Sequence, residues 1–306
     1  MSAQSIEVKH VTKKYGKFKA LDDVTFDVGK GKIYAVLGPN GAGKTTMFRC
    51  ILGLLNFDGS ILVDGRDTRK EGKWVRENIG YLPQHSAPYD DLSVEDNLKF
   101  YAGVKGVKPQ RVLETLKDIK LVRFRDRKAR ALSGGMKQRL MLGISQLSDP
   151  PILILDEPTS QLDVQGQLRF RELLGELLGR GKSVIVSTHL LREAHEIRLF
   201  KGNVLVINRG KLVGSGLVDD FMNKADLREH LLIDVGAYDA QDMLHAVEKA
   251  GFKDAEIHKG QIVVACEHGD KFELLKALDV AGFTPTNFRV DEPSLEVAFM
   301  KATEAP

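Results

Sequence analysis

The 306-residue chain is 42% hydrophobic and 28% charged, the composition of a folded protein with one large core and room for a second, smaller one. Its 45 basic residues nearly balance its 42 acidic ones, and a net charge of +3 argues against nucleic acid as the main partner. Two distant cysteines, Cys50 and Cys266, fit buried thiols in a reducing compartment, and no stretch approaches the ~18 apolar residues that cross a bilayer.

In chain order, Met1 to Ser5 lacks the basic-then-apolar pattern of a secretion signal, so a soluble cytosolic chain is expected. Runs of β-formers follow at Ile6 to His10 and Val24 to Val28. A third, Ile33 to Leu37, feeds Gly38-Pro39-Asn40-Gly41-Ala42-Gly43-Lys44-Thr45, and Thr46 continues into a helical stretch ending near Leu55. This is G-x-x-x-x-G-K-[ST] between a strand and a helix, the context a phosphate loop requires. The glycines let backbone N–H groups converge on a polyphosphate, and the helix N-terminus adds partial positive charge. Lys44 is expected to reach the β/γ phosphates and the Thr45 hydroxyl to ligate magnesium. The implied ligand is a nucleoside triphosphate.

Short strands are expected at Gly59 to Val63 and Ile79 to Leu82, then a helical excursion from Val94 to Leu147. Within it, Leu132-Ser133-Gly134-Gly135-Met136-Lys137-Gln138-Arg139 opens a helix with a favoured cap followed by two glycines. Each glycine lowers helix propensity by roughly 1 kcal/mol. That cost makes sense if the N–H groups and the Ser133 hydroxyl must approach an anion closely. The buried run Ile152 to Leu155 ends in Asp156-Glu157. Asp156 is suited to the magnesium shell, and Glu157 to orienting or deprotonating a water that attacks the γ-phosphate.

A helix at Val164 to Leu178, a strand at Ser183 to Ser187 and a helix at Leu190 to Ile197 follow. Strands alternating with helices indicate a parallel, helix-covered sheet. Val204 to Ile207 and Lys211 to Val213 read as a hairpin across Arg209-Gly210, and a domain boundary is expected near residue 230. Beyond it come a strand at Leu231 to Val235, a helix at Ala240 to Ala250, strands at Ala255 to His258 and Gln261 to Ala265, a helix at Asp270 to Ala281 and a strand at Thr284 to Val290. That is β-α-β-β-α-β, the ferredoxin-like order.

Residues 5–215 resemble the ATP-binding-cassette (ABC) ATPases. The phosphate loop is similar to the Walker A motif, Ile152 to Glu157 to Walker B, and Leu132 to Gln138 to the family signature. Tyr15, in Lys14-Tyr15-Gly16, resembles the aromatic that stacks on adenine. Gln84 resembles the Q-loop glutamine that touches magnesium or the attacking water, Asp163 the D-loop aspartate, and His189 the switch histidine that contacts the γ-phosphate. Two departures are noted: Gln161 stands where Gly or Ala is usual, and Glu196 to Asn203 is long and lacks Cys-Asp-Arg. The resemblance implies an α/β P-loop NTPase cassette over residues 1–230, with a parallel sheet core, an antiparallel β subdomain and a helical subdomain at about 94–147. Residues 231–306 would form a small α+β ferredoxin-like accessory domain.

The resemblance further implies a magnesium-dependent ATPase in which two copies, or one copy and a related cassette, close head-to-tail on ATP. Ser133, Gly134 and Gly135 would then serve the partner's nucleotide. The ending Pro293 to Phe299 is similar to ATP-binding subunits of the ABC-2 type, many of them exporters. A separate multi-span permease at the inner face of the cell membrane is the implied partner, with no nucleic acid. The alternative is a soluble ABC ATPase in a non-transport process such as cofactor assembly.

Overall fold

Continuous apolar runs become the central strands. In this computed structural model, which describes residues 4–160, 162–224, 229–258, 260–266, 270–285 and 287–291, Ile33–Leu37, Ser183–Thr188, Ile152–Asp156 and Ile79–Leu82 lie side by side and parallel. Asn203–Asn208 pairs in parallel on the other side of Ile33–Leu37. Every residue of Ile152–Asp156 and Ser183–Thr188 is buried, as expected of strands covered on both faces. Lys211–Leu217 closes the sheet antiparallel across Arg209 (φ 48°) and Gly210 (φ 78°), a turn of the I′ kind.

A second, antiparallel sheet pairs Gln4–Tyr15 with Phe18–Gly29 and with Asp58–Val63, and Arg66–Asp67 adds its outer edge. The first two strands run 12 residues each, longer than the sequence reading. Register shifts explain why: His10 (φ 52°) and Asp23 (φ 56°) sit in left-handed backbone, so the in–out alternation breaks midway. The helix Lys44–Ile51 lies between the sheets, and Met47, Phe48 and Ile51 join Ile6, Val8 and Phe26 to Val36, Ile154 and Ile185 in one apolar cluster. Burying Phe48 alone stabilises the fold by roughly 1.5–3 kcal/mol. The phosphate-loop helix is therefore fixed from both sides.

The helical excursion resolves into Val94–Lys105, Gln110–Asp118 and Gly134–Gln146, with tight turns at Val122–Phe124 and Ala129–Ala131. The loop entering it is held by the fully buried Asn97, which accepts from the Tyr89 N–H (2.8 Å) and donates to the carbonyls of Tyr89 and Ser93. The short helix Gly72–Asn78 was not anticipated, because it buries only Val75 and has no side-chain cap. The long stretch from Glu196 to Asn203 contains the turn Ile197–Phe200, ended by Lys201 at φ 49°.

The chain divides into two compact units at Val218/Asp219, upstream of the expected residue 230. A helix, Val218–Lys224, occupies the polar stretch that gave no periodic signal. The second unit runs Glu229–Asp234, helix Ala240–Lys249, Ala255–His258, Gln261–Cys266, helix Asp270–Val280 and Phe288–Asp291. Its all-antiparallel sheet has the third strand between the second and the first, and the first beside the fourth. This is the ferredoxin-like arrangement. Leu231, Ile233, Ile262 and Val264 pack with Met243, Val247, Leu274 and Leu278 from the helices. Gln161, Lys259 and the ending Pro293 to Phe299 lie outside the described residues.

Candidate functional site: a phosphate-loop cleft and a second, separate cleft

Close packing accounts for two of the three loop glycines, and Gly41 is explained by its left-handed backbone (φ 80°). A methyl group at Gly38 would lie 2.2 Å from the Ile207 carbonyl oxygen, and one at Gly43 (φ 111°) 2.5 Å from that of Ala20. The loop is pinned from behind by Gly210, whose N–H donates to Ala42 O (2.9 Å) while its carbonyl accepts from the Asp22 N–H (2.8 Å). A methyl group there would meet Ala20 O at 2.8 Å. Lys44 is buried and donates to the carbonyls of Gly38 (2.7 Å) and Pro39 (3.2 Å), and its ammonium lies 3.5 Å from the Glu157 carboxylate. Burial pulls its pKa below the ordinary lysine range, and the Glu157 charge opposes that shift.

Asp156, at the end of its strand, accepts from the Thr45 hydroxyl through Oδ2 (2.7 Å) and from the Ser187 hydroxyl through Oδ1 (2.5 Å). On the adjacent strand, burial first and the Asp156 charge second push the Tyr81 hydroxyl up to about 12. Glu157 then turns through φ 47°, an uncommon backbone state for a non-glycine residue. Its N–H donates to Ser187 Oγ (2.9 Å), and its carbonyl accepts from the Ser160 hydroxyl (3.0 Å). After this turn the two adjacent carboxylates serve different partners. Glu157 Oε2 accepts from Gln84 Nε2 (2.8 Å) and lies 3.3 Å from His189 Nδ1.

One cleft of about 360 Å³ collects Tyr15, Asn40, Gly41, Ala42, Gly43, Lys44, Thr45, Thr46, Gln84 and Glu157, together with Phe18 and Ala20. Ser133, Gly134, Gly135 and Asp163 do not join it. They line a second cleft of about 370 Å³. There Ser133 Oγ accepts from the Met136 N–H (3.4 Å) to cap the helix Gly134–Gln146. Asp163 Oδ1 accepts from the Gly166 N–H (2.8 Å) to cap Val164–Gly179. Both helix N-termini, with their partial positive charge, open on this second cleft.

The first cleft also fits magnesium. The Thr45 and Asp156 oxygens, already within hydrogen-bond reach of each other, are hard donors of the kind that ion takes. Among the described residues no group of three or more His, Cys, Asp or Glu side chains could cage a metal. So sparse a protein donor set suits an ion that draws its other ligands from water and phosphate oxygens.

Residues 21–160 match the ABC transporter family. A daunorubicin resistance ATP-binding protein of Streptomyces coeruleorubidus is 31% identical, aligned over 99% of this chain and 97% of its own length. The chain belongs to the family of ABC transporter ATP-binding proteins. A probable multidrug ABC transporter ATP-binding protein of Escherichia coli K12 is 38% identical over 70% of the chain, which spans only 37% of that relative's length. Among solved structures, a dimeric ATP-binding cassette in a post-hydrolysis state bound to ADP and phosphate is 28% identical. It aligns over 70% of this chain and 98% of its own, with a TM-score of 0.61.

Three residues at the site escaped the sequence reading. Ser187 holds both Asp156 and the Glu157 N–H, and the only hint was a hydroxyl ending an apolar run. Phe18 pairs directly across the hairpin from Tyr15 and lines the same cleft. Gly210 looked like a hairpin turn and nothing more.

Proposed function

We propose that this chain is the ATP-hydrolysing subunit of a membrane transporter and that it works as one of a pair of cassettes. The observation that carries the reading is the setting of Glu157. Gln84, His189 and Lys44 all approach its carboxylate at the phosphate cleft, while Asp156 is committed to Thr45 and Ser187. The backbone N–H groups from Gly41 to Thr45 and the Lys44 ammonium bind the triphosphate, and the Tyr15 ring stacks on the base for roughly 1–3 kcal/mol. Glu157 takes a proton from the attacking water or orients it, Gln84 steadies that carboxylate, and His189 donates to the terminal phosphate. Thr45, Asp156 and the Gln84 side-chain oxygen would hold magnesium, which would supply neutralisation of the phosphate charge.

The separate second cleft supports a paired assembly. Ser133, Gly134, Gly135 and Asp163 present capped helix N-termini away from the chain's own phosphate loop, so they would serve the nucleotide of a second copy or a related cassette. The dimeric solved relative is consistent with that arrangement. The drug-resistance and multidrug names of the relatives support an exporter. The ABC-2 type, with a membrane-spanning permease as a separate chain, rests on the resemblance of Pro293 to Phe299. No described helix is long and apolar enough to cross a membrane. The protein would then sit on the cytoplasmic face, bound to that permease. Purified protein should hydrolyse ATP only with magnesium present, and affinity purification from solubilised membranes should recover a multi-span protein. No turnover would refute the ATPase, and recovery of soluble partners alone would favour a non-transport ATPase.

A further inference from the structure

His189 stands on a turn, and what holds that turn is on its far side. The Thr188 hydroxyl accepts from the Leu190 N–H (2.9 Å), bridging over His189, and donates to Glu193 Oε2 (2.6 Å). Glu193 lies one helical turn beyond His189, in the helix Leu191–Glu196. Its other oxygen, Oε1, is buried without a hydrogen-bond partner among the described residues. Glu193 also lines a small cavity of about 40 Å³, with Thr159, Gln167 and Arg171, enough for a single water. Gln167 belongs to the helix capped by Asp163, donates to the Leu162 carbonyl and accepts from Arg192 (2.8 Å).

A capping contact alone would leave a short surface helix with an exposed carboxylate. Here one carboxylate oxygen is spent on the histidine's turn, and the other is buried rather than left at the surface.

We propose that Glu193 is a positioning residue for His189: through the Thr188 hydroxyl it sets the turn that aims the imidazole at Glu157 and the terminal phosphate. The Gln167–Arg192 contact ties the same short helix to the Asp163 end of its neighbour, so the histidine's placement follows the segment that faces the second cleft. This assignment rests on the ATPase reading above, and one of its readouts is independent of turnover.

In the full-length protein, Glu193→Ala and Thr188→Val should lower kcat about fivefold or more, the effect of one lost hydrogen bond, with the KM for ATP within about twofold. Glu193→Gln keeps an oxygen for the Thr188 hydroxyl and should stay within about twofold of the parent. In a His189→Ala background, Glu193→Ala should cause no further loss. Amide hydrogen exchange of residues 187–191 should quicken in Glu193→Ala and Thr188→Val but not in Glu193→Gln, whether or not the preparation hydrolyses ATP. Unchanged exchange in the first two variants overturns the assignment, as does an equal fractional loss of kcat with and without His189. Should Glu193→Ala fail to fold, Thr188→Val carries both readouts. A parent protein without turnover but with the predicted exchange refutes the ATPase reading and leaves Glu193 as the anchor of the turn.

Discussion

The two clefts of the first unit have nearly equal size and opposite construction. Around the phosphate loop, side chains from four separate segments interlock: Lys44, Thr45, Gln84, Asp156, Glu157, Ser187 and His189 satisfy one another, mostly out of contact with water. Around the second cleft Ser133 and Asp163 cap their own helices, and Phe170 alone of the described lining residues is buried. The first cleft is preorganised within one chain. The second offers helix N-termini with nothing of its own to bind. In the proposed pairing, another copy of the chain or a related cassette would bring the anion to that half-site.

The largest expected effect breaks the first cleft without unfolding it. Glu157→Gln removes the carboxylate but keeps a hydrogen-bonding side chain for Gln84, so ATP should still bind while hydrolysis falls at least ~10²-fold. ATP-bound dimers should accumulate, and size-exclusion chromatography showing monomers alone with ATP would contradict the scheme. A smaller but more discriminating effect comes from the second cleft. Ser133→Arg should remove at least ~10-fold of the turnover while leaving ATP affinity of the monomer unchanged. Equal losses in turnover and in a monomer binding assay would mean that Ser133 serves its own chain's nucleotide.

The smallest effect probes how dry the helix beneath the first cleft is. Burial pushes the Cys50 thiol from its ordinary 9.0 to about 11. A raised folded-state pKa contributes stability that is fully present below pH 9 and lost as pH climbs through about 11, because the unfolded thiol ionises first. Urea midpoints should therefore fall across that window, less so in Cys50→Ala, and the native thiol should resist maleimide at pH 8. Rapid labelling at that pH would show a wet, loosened helix.

Sequence reading reached those features whose chemistry is local. The phosphate loop declared itself because strand, glycines, Lys44 and helix are contiguous. Asp156-Glu157 did so because an apolar run ending in two acids has few structural uses. The β-α-β-β-α-β order of the second unit was legible because its alternating strands and its amphipathic helices have different periods. What stayed hidden depends on chain crossings. Nothing adjacent to Ser187 says that it meets Asp156 from the next strand, and nothing adjacent to Gly210 says that it lies behind Ala42. The long first strands were clipped at His10 and Asp23, where left-handed backbone erases the alternation that periodicity needs. Gln84 and His189 were flagged through family resemblance alone, since their approach to Glu157 is a property of the fold.

The hairpin tip at Arg209-Gly210 bears on anyone wishing to label or engineer this protein. Two-residue turns between edge strands are favoured places to splice in an epitope, a fluorophore or a circular-permutation break. Here Gly210 is buried, wedged between Ala20 and the carbonyl of Ala42. An insertion at that spot would push on the nucleotide pocket from the rear, so a tag placed there should act as an inhibitor.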